Sequence, residues 1–326
     1  VILHSHERLD IKRQEAVFAL ARAATKSDGF NPLSEHVALH LRAGGDEADS
    51  HFTLTDEAGV LIGYAHLDQT DLIAGPSAEL VIAPSARRSG GGRMLTNELV
   101  RVAGPRLRLW SHGDLPESEA LASALGFVRI REVIQLRRSL ELPLPKFQIP
   151  ESIKINQFDA ARDSNEWLSL NARAFAHHPE QRNWTAEDLA LRLNEPWFDP
   201  AGFLLACRED RKDRCVAFCW TKVHGETDVD HGHSHQKGDG HKHGHDPIGE
   251  IYVIGVDPAE QGAGLGRLMT LAGMSYLKSL GLRTVMLYVE GDNEQAKHLY
   301  ANLGYQPWGT DVMYRLRSVQ PPDTSI

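Results

Sequence analysis

Two short glycine-rich strings carry the first chemistry legible in this chain. One reads Gln261-Gly262-Ala263-Gly264-Leu265-Gly266-Arg267. It follows the β-branched run Glu250-Ile251-Tyr252-Val253-Ile254-Gly255-Val256 and opens apolar positions Leu265, Leu268, Met269, Ala272, Tyr276 and Leu280 at helical spacing. A strand, a glycine turn and a helix start present backbone N–H groups to an anion with no side chains in the way. A Walker loop needs Gly-Lys-Ser/Thr, and here Gly266 is followed by Arg267-Leu268. A dinucleotide fingerprint needs Gly-x-Gly-x-x-Gly, and Gly262, Gly264 and Gly266 are spaced otherwise. An ordinary nucleoside triphosphatase and a dinucleotide enzyme are both disfavoured.

The second string is Arg87-Arg88-Ser89-Gly90-Gly91-Gly92-Arg93, after Glu79-Leu80-Val81-Ile82-Ala83-Pro84. Its landmarks repeat at a constant offset of 174 residues: Pro84 to Pro258, Gly90 to Gly264, Arg93 to Arg267. Further on, Gly113-Asp114 matches Gly291-Asp292 and Leu125-Gly126-Phe127 matches Leu303-Gly304-Tyr305 at an offset of 178. A period of that length is a duplicated domain rather than a solenoid. Leu142-Pro143-Leu144-Pro145-Lys146-Phe147-Gln148-Ile149-Pro150 is too proline-rich for a helix or central strand and reads as the join.

The elements that must hold these turns follow the same order in each half. Helices are predicted over 14–24 and 167–175, and strands over 52–55 and 60–65 in the first half and 203–207 and 215–223 in the second. Strand, turn and helix then recur around each glycine string, ending in strand 285–289 and helix 294–302. The pattern predicts an α+β fold: two tandem domains, each a mixed, mostly antiparallel sheet flanked by helices. The expected domains are 1–141 and 152–320, with a linker at 142–151, a His-rich insert at 224–247 and a tail at 321–326.

Gln261-x-x-Gly264-x-Gly266, followed by Asn293, Ala296, Leu299-Tyr300 and Gly304-Tyr305, resembles the GCN5-related N-acetyltransferase (GNAT) family, over both halves of the chain. The resemblance implies direct acetyl transfer from acetyl-CoA to an amine in a ternary complex. It assigns the pyrophosphate to Gln261 to Arg267, the pantetheine arm to Ile254, Gly255 and Val256, and further cofactor contacts to Asn293, Glu294, Gln295, Ala296, Lys297 and His298. The first half would keep its own cofactor positions at Leu80, Val81, Ile82, Arg87, Arg88, Gly90 and Gly92. Tyr300 stands where the family has its general acid, and a phenol of ordinary pKa near 10 suits protonating a thiolate. Glu250 either deprotonates the amine, through water, or binds the ammonium.

The duplication supplies a control on those roles. Pro76 stands at the position of Glu250, Ala122 at that of Tyr300 and Leu115 at that of Asn293. The first domain is therefore expected not to catalyse, whether or not it holds CoA.

Two acetyltransferase domains of which the second is active are similar to a tandem branch of the family. That branch acetylates the cysteinyl amine of a cysteine–glucosamine–inositol conjugate (desacetylmycothiol). The resemblance implies that Glu35, Glu180, Lys222, Glu250 and Tyr288 line the acceptor site, with carboxylates for the ammonium and a lysine for sugar hydroxyls. Acetylation of an aminoglycoside, a polyamine or a protein N-terminus shares every CoA feature, and a non-enzymatic CoA-binding module is the remaining alternative.

Composition bounds the rest. The chain has 326 residues, 41% hydrophobic, with 35 Lys+Arg against 44 Asp+Glu, a net charge of -9. That balance argues against nucleic-acid or anionic-membrane partners. No run approaches the ~18 apolar residues of a membrane span, and Val1 to Glu7 turn polar too soon for a signal-peptide core. A cytoplasmic monomer is expected. Cys207, Cys215 and Cys219 are too few for a disulfide framework and read as small buried thiols in a reducing compartment. His231, His233, His235, His241, His243 and His245 could collect zinc or nickel, but the family requires no metal and the segment reads as a solvated insert.

Overall fold

The computed structural model describes residues 1–43, 49–70, 75–177, 179–209, 214–224 and 247–317. The His-rich insert and the tail lie outside them. The chain forms two compact units.

Unit 1 comprises Val1–Ile134, Glu290–Asp292 and Gly309–Ile326. Strands β1 (Ile2–His6), β2 (Asp49–Thr55), β3 (Leu61–Asp68) and β4 (Ser77–Ile82) form an antiparallel meander. β5 (Arg108–Ser111) joins β4 in parallel. The β4 strand alternates faces: Leu80 and Ile82 pack toward α3 (Gly91–Ala103), Val81 toward α1 (Ile11–Asp28) and α2 (Glu35–Ala43). Helix α1 outruns the predicted 14–24 at both ends. Asp10 caps its start by accepting from the Arg13 N–H at 2.8 Å, and Gly29 ends it at φ 83°. Its Val17, Leu20, Ala21 and Ala24 stripe is the face buried on the sheet. After β5 come α4 (Pro116–Ala124) and β6 (Phe127–Ser139).

Unit 2 comprises Gln135–Val289 and Asn293–Trp308. Here β7 (Ile153–Gln157), β8 (Phe203–Arg208), β9 (Arg214–His224) and β10 (Ile248–Val256) are antiparallel neighbours, and β11 (Thr284–Glu290) pairs with β10 in parallel. Helix α5 (Ala160–Ala174) covers one face through Trp167 and Leu170, which pack on Phe203, Phe218 and Trp220. α6 (Pro179–Arg182) and α7 (Ala186–Leu193) follow it. Helix α8 (Leu265–Ser279) packs close on β9 and β10: a Cβ on Gly273 would stand 2.5 Å from the Cys219 sulfur. α9 (Glu294–Asn302) and β12 (Gln306–Leu316) complete the chain.

The mixed, mostly antiparallel sheets flanked by helices agree with the expected α+β tandem. The repeat also holds at the level of elements. α3 and α8 start 174 residues apart, while α4 and α9 are nine residues each and 178 apart at both ends.

The compact units divide at 134/135 inside β6, and the second half of β12 belongs to unit 1, where Val312 to Arg315 pair with β5. Ladder partners distant in sequence decide this. The structure differs from the sequence reading at the cysteines, which are not all reduced. Cys207 and Cys215, eight residues apart, are direct partners across β8 and β9, and their sulfurs are bonded. Cys219 is a buried free thiol, and burial pushes its pKa up to about 12.

Candidate functional site

In unit 2, β10 and β11 pair in parallel only over Gly249–Ile251. β10 continues against β9 as far as Val256, with a register shift between Ile251 and Val253. This bulge turns the strand away from β11, so the backbone of Ile254, Gly255 and Val256 has a ladder partner on the β9 side only in those registers. An extended arm with amide groups fits such an edge.

The strand runs into a 3-10 turn at Pro258–Glu260 and then the glycine string. Asp257 fixes this corner. It is buried, accepts from the Ala259 N–H, and pairs with Arg173 and Arg214 at 3.0 Å each. Burial alone would push its pKa up, but those donors hold the carboxyl below its ordinary value. Gly262 and Gly264 have φ of 84° and 78°, the left-handed region where an L side chain is strained, and Gly264 caps α8. A Cβ there would meet no atom within 4 Å, so conformation rather than crowding selects glycine. The result is a helix N-terminus with bare backbone, a fitting cradle for a pyrophosphate.

Helix α9 follows β11 and comes close to the start of α8, since a Cβ on Gly266 would stand 3.7 Å from the Leu299 side chain. It is capped by the Asn293 side-chain amide oxygen, which accepts from the Ala296 N–H at 3.0 Å. Glu294, Gln295, Ala296, Lys297 and His298 form its first turns. Tyr300, on the same helix, is buried edge-on to Tyr305 with ring centroids 5.7 Å apart. Burial, reinforced by Cys219, raises its phenol well above 10, so it is protonated at neutral pH.

Glu250 sits on β10 where the parallel pairing is about to end. It is only 6% exposed and lies opposite Lys222 of β9. Its Oε2 is 2.6 Å from Nε2 of His224, the last residue of β9. Lys222 is also buried, its Nζ 4.5 Å from the Trp197 ring centre and 5.4 Å from that of Tyr252. Tyr288 lies on β11, and its hydroxyl accepts from the Gln135 amide at 2.6 Å. By strand register, Glu250, Lys222, His224 and Tyr288 share one sheet face. The structure thus brings Glu250, Lys222 and Tyr288 together. Glu180 lies on α6 and its side chain is outside the described residues. Glu35 is the first residue of α2 in unit 1.

His224, Trp197 and Tyr252 are the additions. The parity of an antiparallel hairpin, which places residues two apart on one face, was the signal available for His224. Trp197 lies in an irregular segment with no such signal.

Unit 1 has the matching cradle. Gly90 caps α3 at φ 88°, Arg88 has φ 64°, and a cavity of about 550 Å³ is lined by Leu80, Val81, Ile82, Arg87, Arg88, Gly90 and Gly92. Arg87 is engaged within the unit by a two-pronged ion pair to Asp28 at 2.8 and 2.6 Å. Ala122 lines the cavity where unit 2 has Tyr300. Among the described residues no group of three or more His, Cys, Asp or Glu is arranged to hold a metal ion, and no helix is long and apolar enough to cross a membrane.

Residues 165–305 match the acetyltransferase (GNAT) family model. The chain is 49% identical to a mycothiol acetyltransferase of Acidothermus cellulolyticus, covering 96% of this chain and 94% of that protein. It is 46% identical to one of Streptosporangium roseum, covering 94% and 97%. Among solved structures, a tandem GNAT protein from the clavulanic acid biosynthesis pathway superposes with a TM-score of 0.70 at 17% identity, over 96% of this chain and 98% of that one. A GCN5-related N-acetyltransferase from Sphaerobacter thermophilus gives 0.67 at 20%, over 98% and 96%. At those identities the two structures speak for the shared fold alone.

Proposed function

Because the chain belongs to the mycothiol acetyltransferases of the GNAT family, we propose that it moves the acetyl group of acetyl-CoA to the cysteinyl amine of the cysteine–glucosamine–inositol conjugate, the last step of mycothiol formation. Unit 2 carries the reaction. The observation that carries this reading is the buried Glu250 carboxylate at the point where β10 and β11 part, one strand run upstream of a bare helix N-terminus.

Backbone amides from Gln261 to Arg267 hold the diphosphate, Ile254 to Val256 pair with the pantetheine amides, and Asn293 to His298 contribute from the start of α9. A β10 N–H polarises the thioester carbonyl. Glu250 takes a proton from the ammonium, directly or through one water. The freed amine forms the new C–N bond at the carbonyl carbon, the C–S bond breaks, and the Tyr300 hydroxyl gives its proton to the departing sulfur. The nitrogen's second proton is lost to water and the tyrosinate is reprotonated from solvent, so one proton is released overall. Lys222 and Tyr288, on the same sheet face as Glu250, serve the hydroxyls of the acceptor in this reading. No metal enters the scheme. Unit 1 holds CoA in its cradle without turnover, as Ala78 and Ala122 replace the base and the acid.

The test is a mass-detected assay with acetyl-CoA and the conjugate beside other amines. A product heavier by one acetyl group on the conjugate nitrogen is expected. Turnover of an aminoglycoside or polyamine with none of the conjugate would overturn the substrate and leave the chemistry standing.

A further inference from the structure

We propose that His224 is a positioning residue for Glu250, holding the carboxylate through Oε2 and leaving Oε1 to meet the acceptor's ammonium. This rests on the reading of Glu250 as the base. His224 and Glu250 are diagonal neighbours across β9 and β10, with His224 opposite Ile248 and Glu250 opposite Lys222. Their approach of 2.6 Å is a short hydrogen-bond contact between an imidazole nitrogen and a carboxylate oxygen. An ionised carboxylate only accepts, so Nε2 carries the hydrogen and donates it. The glutamate side chain is 8% exposed and the histidine 35%. The imidazole is therefore the member of the pair that reaches water.

Two consequences follow for the chemistry. A buried glutamate has three rotatable bonds, and a fixed donor on one oxygen removes most of that freedom before the substrate arrives. The same contact commits Oε2 to the imidazole, so the base meets the substrate through Oε1. The other charged or titratable groups on this face are Lys222 from β9 and Tyr288 from β11, with Arg192 of α7 bonded to the Tyr252 hydroxyl nearby. Lys222 is seated over Trp197 and Tyr252.

The experiment uses the full chain with acetyl-CoA and the conjugate, comparing wild type, His224→Ala and His224→Gln. His224→Ala is expected to lower kcat on the order of tenfold, with KM for acetyl-CoA within about twofold. His224→Gln keeps an N–H donor without a titratable charge. It should recover most of kcat, again with KM for acetyl-CoA within about twofold. An unchanged kcat in both variants, or a His224→Gln variant no better than His224→Ala, would overturn the proposal. A readout independent of turnover is the NMR position of the imidazole signal that disappears in His224→Gln. That signal should move in Glu250→Gln at one fixed pH, and superimposed spectra would refute the contact. A wild-type chain that fails to acetylate the conjugate strikes the substrate assignment and leaves these spectra to decide the pairing.

Discussion

The same local structure occurs twice in this molecule with opposite treatment of its acids. Each unit runs a strand into a Pro-initiated 3-10 turn, then a glycine at positive φ that caps a helix: Pro84–Ala86 and Gly90 in unit 1, Pro258–Glu260 and Gly264 in unit 2. In both, the strand before the turn pairs in parallel over three residues and then parts from its neighbour, after Glu79 and Trp110 in unit 1 and after Ile251 and Leu287 in unit 2. In unit 1 the parting is occupied by a closed ion-paired cluster. His112 lies between Glu79 at 3.3 Å and Asp311 at 3.1 Å, and Glu79 also accepts from the Ser34 N–H at 2.7 Å. Burial alone would lower the His112 pKa, but the two carboxylates raise it to about 10. Glu79 is held below its ordinary value despite its own burial. These acids are committed to each other's neighbour and have no proton to exchange at neutral pH. In unit 2 Glu250 has one imidazole partner that reaches solvent. A duplicated scaffold can therefore keep the same glycine turn at a helix start in both copies while the carboxylate beside it is sealed in one and paired with a partly exposed imidazole in the other.

The largest expected effect is at Glu250. Glu250→Ala should lower kcat about a thousandfold with the fold intact by circular dichroism, while Pro76→Glu in unit 1 creates no second activity. Full turnover in Glu250→Ala would abolish the proposed asymmetry between the units. Next is the closed cluster: Glu79→Gln leaves the buried His112 imidazolium with Asp311 as its one remaining carboxylate in the cluster, and should cost about 3 kcal/mol, read as a drop in the unit 1 melting transition. A melting curve indistinguishable from wild type would show that this cluster is not what seals unit 1. Tyr300→Phe should reduce kcat about a hundredfold and leave KM for acetyl-CoA nearly unchanged.

Smaller effects separate the two cradles. Gly264→Ala and Gly90→Ala each force an L side chain into the left-handed region, at about 1 kcal/mol. Only Gly264→Ala should raise KM for acetyl-CoA, and an equal rise in both variants would mean that unit 1 participates in turnover. The smallest effect is a pH dependence. A histidine whose pKa is raised by folding contributes stability that is complete below pH 6.5 and is lost as pH climbs through about 10. Wild type should therefore lose more melting temperature than His112→Gln between pH 8 and 10.5. Parallel losses would remove His112 from the account.

Much of this was legible in the sequence because it is local. Positive φ at Gly264, the Asn293 cap, the helix over 294–302 and the helical stripe of α8 depend on residues within a few positions, and the 174 and 178 offsets fell on element boundaries. The match of Glu250 to Pro76 does not carry over in the same way: in the parallel ladders Glu250 holds the register of Ala78, because β10 has a bulge and β4 does not. What the sequence left open depends on hydrogen bonds between distant strands. Asp311 meets His112 from 199 positions away because the second half of β12 pairs with β5. His224 meets Glu250 across 26 positions, most of them in the His-rich insert. Cys207 and Cys215 are bonded because the β8–β9 register sets them opposite each other. A one-residue change of register turns every side chain to the other face. The sequence by itself therefore determined which residues were available for acid–base work, and the tertiary structure alone decided which of them were paired, sealed or left open.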